Sequence, residues 1–350
     1  MPTITKGDKV LVSGANGYIA MWVVRHLLER GYAVRGTVRS ESKGKFVKEY
    51  FASLGHGDNL ELVIVEDIEK EGAFDEAVKG VDAIAHTASP FHSNVKQPEE
   101  FLRPAIQGTV GMLKSALKNG SKVKRIVVTS STASILNPSD KPSVLSERDW
   151  NTSSPKEVEE KGADAPPMVI YRASKTLAEK SAWQFVEEHK SELKWDLAVI
   201  NPPFVFGPPI HDVSSPASLN TSLKSWYDNV VADTPKTKDA LSFSSGWVDV
   251  RDTSLAHVLA LEKEAAGGER IISTGGSFSY QEWINVANSL PPPVYPSHKL
   301  PTGIPELFNS ETVYNVVYDK SKEEKILGIK FHTKEETTKD TLEDFARRGW

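Results

Sequence analysis

The 350-residue chain contains no cysteine. That absence excludes disulfides, thiolate nucleophiles, cysteine-based zinc sites and iron–sulfur clusters. An excess of one charge is lacking too: 42 Lys and Arg against 47 Asp and Glu leave a formal net charge of −5. So even a balance gives no whole-chain pull toward nucleic acid or an anionic membrane. No stretch approaches the ~20 apolar residues of a membrane-spanning helix. The opening residues, MPTITKGDKV, lack the apolar core of a secretory signal. Internal repeats, low-complexity tracts and Gly/Ser linkers are missing as well. Asn-Thr-Ser triplets at Asn151 and Asn220 accept sugar only in a secreted protein. What remains, 39% hydrophobic and 25% charged residues, is the composition expected of a soluble cytoplasmic globular chain. It has room for one large α/β unit or two modest domains.

The first 200 residues alternate short β-rich runs with helical periodicity. Residues 9–13, KVLVS, form an apolar run between Gly7 and Gly14 and read as a buried strand. Ala20, Val23, Val24, Leu27 and Leu28 then recur at helical spacing up to Gly31. Further strands are expected at 33–38, 62–65, 83–86, 125–129 and 197–200, and helices at 101–118 and 171–188. The alternation predicts an α/β fold, a Rossmann-type doubly wound parallel sheet with right-handed crossovers. Beyond Asn201 prolines punctuate two loops around a helical stretch at 253–264. Residues 1–200 are therefore expected to form the dinucleotide-binding domain. Residues 201–350 are expected to form a smaller C-terminal substrate lobe, partly interleaved with it.

Gly14-Ala15-Asn16-Gly17-Tyr18-Ile19-Ala20 lies between the first strand and the first helix. Glycines there let the backbone turn tightly and approach a pyrophosphate, and the helix N-terminus supplies N–H groups and the positive end of its dipole. About 20 residues past the glycines an NAD site needs an acidic residue for the ribose 2′-hydroxyl. The chain instead has Arg39 and Ser40, with Lys43 and Lys45 behind them, and a guanidinium suits a 2′-phosphate. The pattern favours NADP(H). Asp67 and Ile68, after the third strand, either flank an adenine ring or simply close the strand.

Tyr171 and Lys175 stand at i and i+4, on one face of a helix. A lysine so placed lowers the pKa of a phenol toward a working value. The fifth strand ends in Thr129-Ser130-Ser131-Thr132, and ligands of open parallel sheets sit at strand carboxyl ends. A serine there can hydrogen-bond a carbonyl oxygen while the tyrosine donates its proton. His86 and His92 have no companions at metal-ligand spacing, so no metal site is expected. No Gly-x-Ser-x-Gly elbow supports a hydrolase.

Together these residues resemble an extended short-chain dehydrogenase/reductase over nearly the whole chain. GANGYIA is similar to that family's glycine loop, and Ser131, Tyr171 and Lys175 match its catalytic residues, Ser131 fitting better than Ser130. The Val38-Arg39-Ser40 turn, His86-Thr87-Ala88-Ser89-Pro90 and the Asn201–Pro208 segment resemble the dihydroflavonol-reductase-like branch. Within it, fungal NADPH-dependent aldehyde and ketone reductases are the most similar. The resemblance implies that Gly14, Asn16, Gly17, Tyr18 and Ile19 bind pyrophosphate and that Arg39 and Lys43 bind the 2′-phosphate. It implies that Thr87, Ala88 and Ser89 line the cofactor, that Lys175 holds the nicotinamide ribose, and that Pro202 and Val205 touch the nicotinamide. Pro90, Phe91, Phe204, Trp226 and Trp247 stand at substrate-pocket positions. Many family members carry an asparagine before the Gly108-Thr109 pair. This chain reads Pro104-Ala105-Ile106-Gln107, which breaks that proton relay.

The expected activity is NADPH-dependent reduction of a ketone or aldehyde to an alcohol, by a monomer or homodimer that needs no nucleic acid and no membrane. A sugar-nucleotide epimerase or dehydratase is the enzymatic alternative. A dinucleotide-sensing scaffold is the non-catalytic one, though it would need no Ser–Tyr–Lys set.

Overall fold

Residues Lys9–Ser13 alternate their side chains between two apolar layers. Val10 and Val12 join one buried cluster with Val24, Leu27 and Ala256, while Leu11 joins another with Ile84, Met112 and Phe185. Burial on both faces is what a short continuous apolar run requires, and it follows from the two-residue period of a strand. The computed structural model describes residues 3–89, 97–139, 141–291 and 299–350.

Along the chain the strands are β1 (Lys9–Ser13), β2 (Ala33–Val38), β3 (Leu60–Ile64), β4 (Ala83–His86), β5 (Arg125–Thr129) and β6 (Ser143–Leu145). They continue as β7 (Asp196–Asn201), β8 (Phe204–Phe206), β9 (Ser244–Asp249), β10 (Arg270–Ile272), β11 (Gly276–Ser279) and β12 (Val316–Tyr318). The main sheet runs β10-β7-β5-β4-β1-β2-β3, and every adjacent pair in it is parallel. Chain order reverses between β1 and β4, so the crevice for a ligand opens above their carboxyl ends. The expected doubly wound fold is present. The third strand begins two residues before the apolar run at 62–65.

A second layer of structure forms the lobe. β9 pairs parallel with β8 and antiparallel with β11, and β6 pairs parallel with β12. Aromatic rings fill the lobe core: Trp247 stands edge-on to Trp283 at 4.8 Å between centroids, and Phe206 to Phe278 at 5.2 Å. The helix Val250–Glu262 sends Ala256, Val258 and Leu261 into the main-sheet cluster, and β10 then adds the sheet's last strand. Three-residue strands such as β10 carry too little periodicity to be read from sequence. Among the described residues no helix is long and apolar enough to cross a membrane.

At the amino ends of β5 and β7, away from the crevice, the fully buried Arg125 grips Asp196 through two bonds of 2.6 and 2.8 Å. It also donates to the Ala260 and Lys263 carbonyls. This guanidinium ties sheet to helix where the site needs nothing.

Candidate active site

The glycine loop is shaped by its neighbours. Gly14 has φ +64°, and a Cβ there would lie 3.2 Å from the Ala88 backbone, so both conformation and close approach demand glycine. Its N–H donates to Thr37 Oγ1 at 3.1 Å. Gly17 caps the helix Tyr18–Glu29, which has no side-chain cap and no acidic residue in its first turn. The first-turn N–H groups are thus open to an anion, and a Cβ on Gly17 would crowd the Gly14 carbonyl at 3.2 Å. Asn16 and Ile19 are half-buried on this loop. The Tyr18 side chain turns away to donate to the Gly207 carbonyl at 2.7 Å, so only its backbone faces the anion site.

At the end of β2, Arg39 and Lys43 are exposed and form no ion pair among the described residues. Ser40 caps the next helix by accepting from Lys43 N. Asp67 is exposed and accepts from Glu69 N at 2.9 Å, closing its own turn. Ile68 packs under Gly108, where a Cβ would meet it at 2.8 Å. The loop after β4 is pinned to β1: Ser13 Oγ accepts from Thr87 N at 3.0 Å and from Ala88 N at 2.9 Å. Both lone pairs being used, its proton goes to His86 Nδ1 at 2.9 Å. Burial and the Lys175 charge lower the His86 pKa to about 3, so the ring is neutral.

Tyr171, Arg172 and Lys175 lie on the helix Pro167–Glu188, which opens with proline at its first position. The Tyr171 ring stands edge-on to Phe101 at 6.2 Å, and its phenol hydrogen-bonds Ser131. Burial raises the Tyr171 pKa, and the Ser131 bond opposes this. Lys175 donates to Ser89 Oγ at 3.0 Å. Burial lowers its pKa to about 8, while Glu179 pulls it back up. The Lys175 ammonium is turned to Ser89, while burial and Ser131 act on the Tyr171 phenol.

Ser131 caps the short turn Thr132–Ser134, accepting from Ala133 N. Pro202 O accepts from Thr132 N at 3.0 Å and from Ser131 Oγ at 3.4 Å. Ser130 points the other way, donating to the buried Glu179 at 2.6 Å, which separates the two serines. Glu179 was not singled out by sequence, yet donors converge on it. Its Oε2 also takes Ser134 Oγ at 2.6 Å and Asn201 Nδ2 at 2.8 Å, and its Oε1 takes Arg270 Nε at 2.5 Å. Arg270 lies 3.5 Å over the Trp150 ring and donates to the Glu147 carbonyl. Asn201 Nδ2 reaches the Ser131 carbonyl at 3.3 Å. The i+4 spacing from Lys175 to Glu179 was the available signal.

Phe204 is half-buried, beside Phe243 at 5.6 Å, while Val205 is in the lobe core. Trp226 and Trp247 require correction as pocket residues. They are 1% and 2% exposed, and both pack edge-on to Trp283; a close-packed aromatic core took them. Pro90, Phe91 and His92 lie outside the described residues. Gln107 sits in an outer groove with Ser181 and Gln184, not beside Tyr171. Among the described residues no cluster of His, Asp and Glu could hold a metal.

A parallel sheet with its reversal at β1/β4, an open helix N-terminus beside it and a Ser–Tyr–Lys set across the crevice define a dinucleotide-dependent enzyme class. Residues 10–275 match the NAD dependent epimerase/dehydratase family, and the chain belongs to that family. It is 37% identical to the ketoreductase azaE of Aspergillus niger over 92% of this chain and 93% of that protein. It is 36% identical to a cinnamoyl-CoA reductase of Medicago truncatula, covering 99% and 98%. The crystal structure of yeast methylglyoxal/isovaleraldehyde reductase Gre2 with NADPH superposes with a TM-score of 0.85 at 31% identity, covering 97% and 99%.

Proposed function

We propose that the protein is an NADPH-dependent carbonyl reductase that converts a ketone or aldehyde into an alcohol. The observation that carries this reading is the protonated Tyr171 phenol hydrogen-bonded to Ser131 at the carboxyl end of β5. Similarity to azaE, a ketoreductase, and to the NADPH-bound Gre2 reductase supports it.

The residues fit the cofactor. The uncapped helix after Gly17 suits its pyrophosphate, and the exposed Arg39 and Lys43 suit a 2′-phosphate. In this reading Thr87, Ala88, Ser89 and Pro202 line the cofactor and Lys175 takes a ribose hydroxyl, while Val205 belongs to the lobe core. NADPH supplies the hydride when bound. Ser131 donates a hydrogen bond to the substrate carbonyl oxygen and orients it. Tyr171 delivers its proton to that oxygen as negative charge develops there. Glu179 and Asn201 hold the Ser131 turn and the catalytic helix in one geometry.

Purified protein mixed with NADPH and a panel of aryl ketones, oxo esters and aromatic aldehydes tests the reading by absorbance at 340 nm. Turnover on members of the panel, lost in Tyr171→Phe, is the expected result. Binding of NADPH without turnover on any carbonyl would overturn it.

A further inference from the structure

Ser13 ends β1 and His86 ends β4, and the two are register partners where the order of the main sheet reverses. Both are buried, 0% and 1% exposed, under the crevice that this reversal opens. Leu11, Ile84 and Met112 fill the same layer with apolar side chains, and Phe74 stands edge-on to the His86 ring at 5.8 Å. Burying a hydroxyl and an imidazole among such neighbours costs free energy unless their hydrogen bonds are made. Ser13 Oγ donates to His86 Nδ1 at 2.9 Å and accepts the consecutive Thr87 and Ala88 N–H groups at 3.0 and 2.9 Å. Only a neutral ring with its hydrogen on Nε2 offers Nδ1 as an acceptor, and burial keeps the ring neutral. His86 Nε2 is buried and has no partner among the described residues, so the bond to Ser13 is what orients the imidazole.

Two successive amides drawn to one oxygen bend the chain out of the strand, and the Thr87 hydroxyl closes the bend on the Ser13 carbonyl. Ala88 then lies against the glycine turn, where a Cβ on Gly14 would come within 3.2 Å of its backbone. Ser89 follows, and its Oγ takes the Lys175 ammonium at 3.0 Å. The glycine turn and Lys175 thus meet the same short loop from two sides, and one serine oxygen holds that loop. Deprived of its acceptor, the buried Ser13 proton would turn toward the two amides and loosen their hold.

We propose that His86 is a positioning residue for NADPH. By taking the Ser13 proton on Nδ1 it commits the Ser13 oxygen to the Thr87 and Ala88 amides, and so sets Ala88 against the glycine turn and Ser89 against Lys175. This rests on the reductase reading above and adds a residue that acts on the cofactor through others.

Two substitutions of the full chain separate this role from packing. His86→Leu keeps much of the volume and removes the acceptor, whereas His86→Asn loses volume and keeps an oxygen at the Nδ1 position. Packing and positioning therefore rank the two variants oppositely. Amide hydrogen exchange at Thr87 and Ala88 in the NADPH-free protein reads the loop, and fluorescence titration reads the NADPH dissociation constant. In His86→Leu both are expected to rise about 3- to 10-fold. His86→Asn should recover most of that change even though it melts earlier, and Ser13→Ala should exceed His86→Leu on both readouts. Unchanged exchange or unchanged NADPH affinity in His86→Leu, or an Asn variant no better than the Leu one, would overturn the proposal. Neither readout uses a carbonyl substrate. A protein that reduces no carbonyl would end the reductase reading, and exchange and NADPH binding would still decide the role of His86.

Discussion

At neutral pH the Tyr171 phenol carries its proton, because burial holds its pKa above the ordinary value and only Ser131 opposes this. A proton donor in the reductive direction needs that form. Tyr171→Phe keeps the ring and removes the proton, so single-turnover rates at saturating NADPH should fall about 10²- to 10⁴-fold with NADPH affinity retained. Lys175 behaves differently. Its charged form predominates below about pH 8 and is lost above it, so kcat/KM for NADPH should decline as pH rises through that value. At the far end of the cofactor, Arg39→Ala should raise the KM of NADPH about 10- to 100-fold and leave that of NADH nearly unchanged. Equal changes for both cofactors would remove Arg39 from the 2′-phosphate site.

The helix Pro167–Glu188 works as a unit: Tyr171 and Lys175 face the crevice while Glu179, one turn on, anchors it to β7 through Asn201 and to β10 through Arg270. Glu179→Gln would leave Arg270 buried without a counter-charge and place an amide against the Asn201 donor. Breaking such a pair costs about 3–5 kcal/mol, which urea denaturation would read. The same change removes the charge that raises the Lys175 pKa, so the alkaline decline should move to lower pH in Glu179→Gln. Stability loss with an unmoved pH profile would reduce Glu179 to a packing role. In the lobe, Trp226→Ala should cost about 3–5 kcal/mol by opening a cavity beside Trp283 and Phe345. Thermal melting would register that loss while the KM of NADPH stays unchanged.

At the scale of the molecule, three histidines among the described residues are buried in neutral form. His86 is held at a pKa of about 3, and His211 and His257 at about 4, each mainly by burial. Unfolded histidine titrates near 6.5, so between that value and about 4 the unfolded chain binds more protons than the folded one. Stability should therefore drop as pH falls through this window, by about 1.4 kcal/mol for each unit and each histidine. Denaturant midpoints at pH 7 and pH 5 measure the effect, and His257→Gln should weaken it. Above pH 8 the sign for Lys175 is the reverse of a stabilising pair. Its folded pKa lies below the ordinary lysine value, so losing its proton relieves a cost and stability rises toward pH 10.

Much of this was legible along the chain. Val10, Leu11 and Val12 specify a doubly buried strand by their run of apolar side chains, and Gly14 and Gly17 specify the turn because only glycine fits there. Tyr171 and Lys175 share a face by helical period alone, and Arg39 marks the end of β2 by its distance from the glycines. Local rules act over one strand, one turn or one helix, so a single sequence suffices for them. Trp226 and Trp247 were misplaced because aromatic side chains fit a cleft wall and a core equally well; only packing against Trp283 decided between them. Glu179, Asn201 and Arg270 come together from three elements separated by dozens of residues. Which buried charge finds a partner, and which is left without one, depends on how sheet, helix and lobe close on each other.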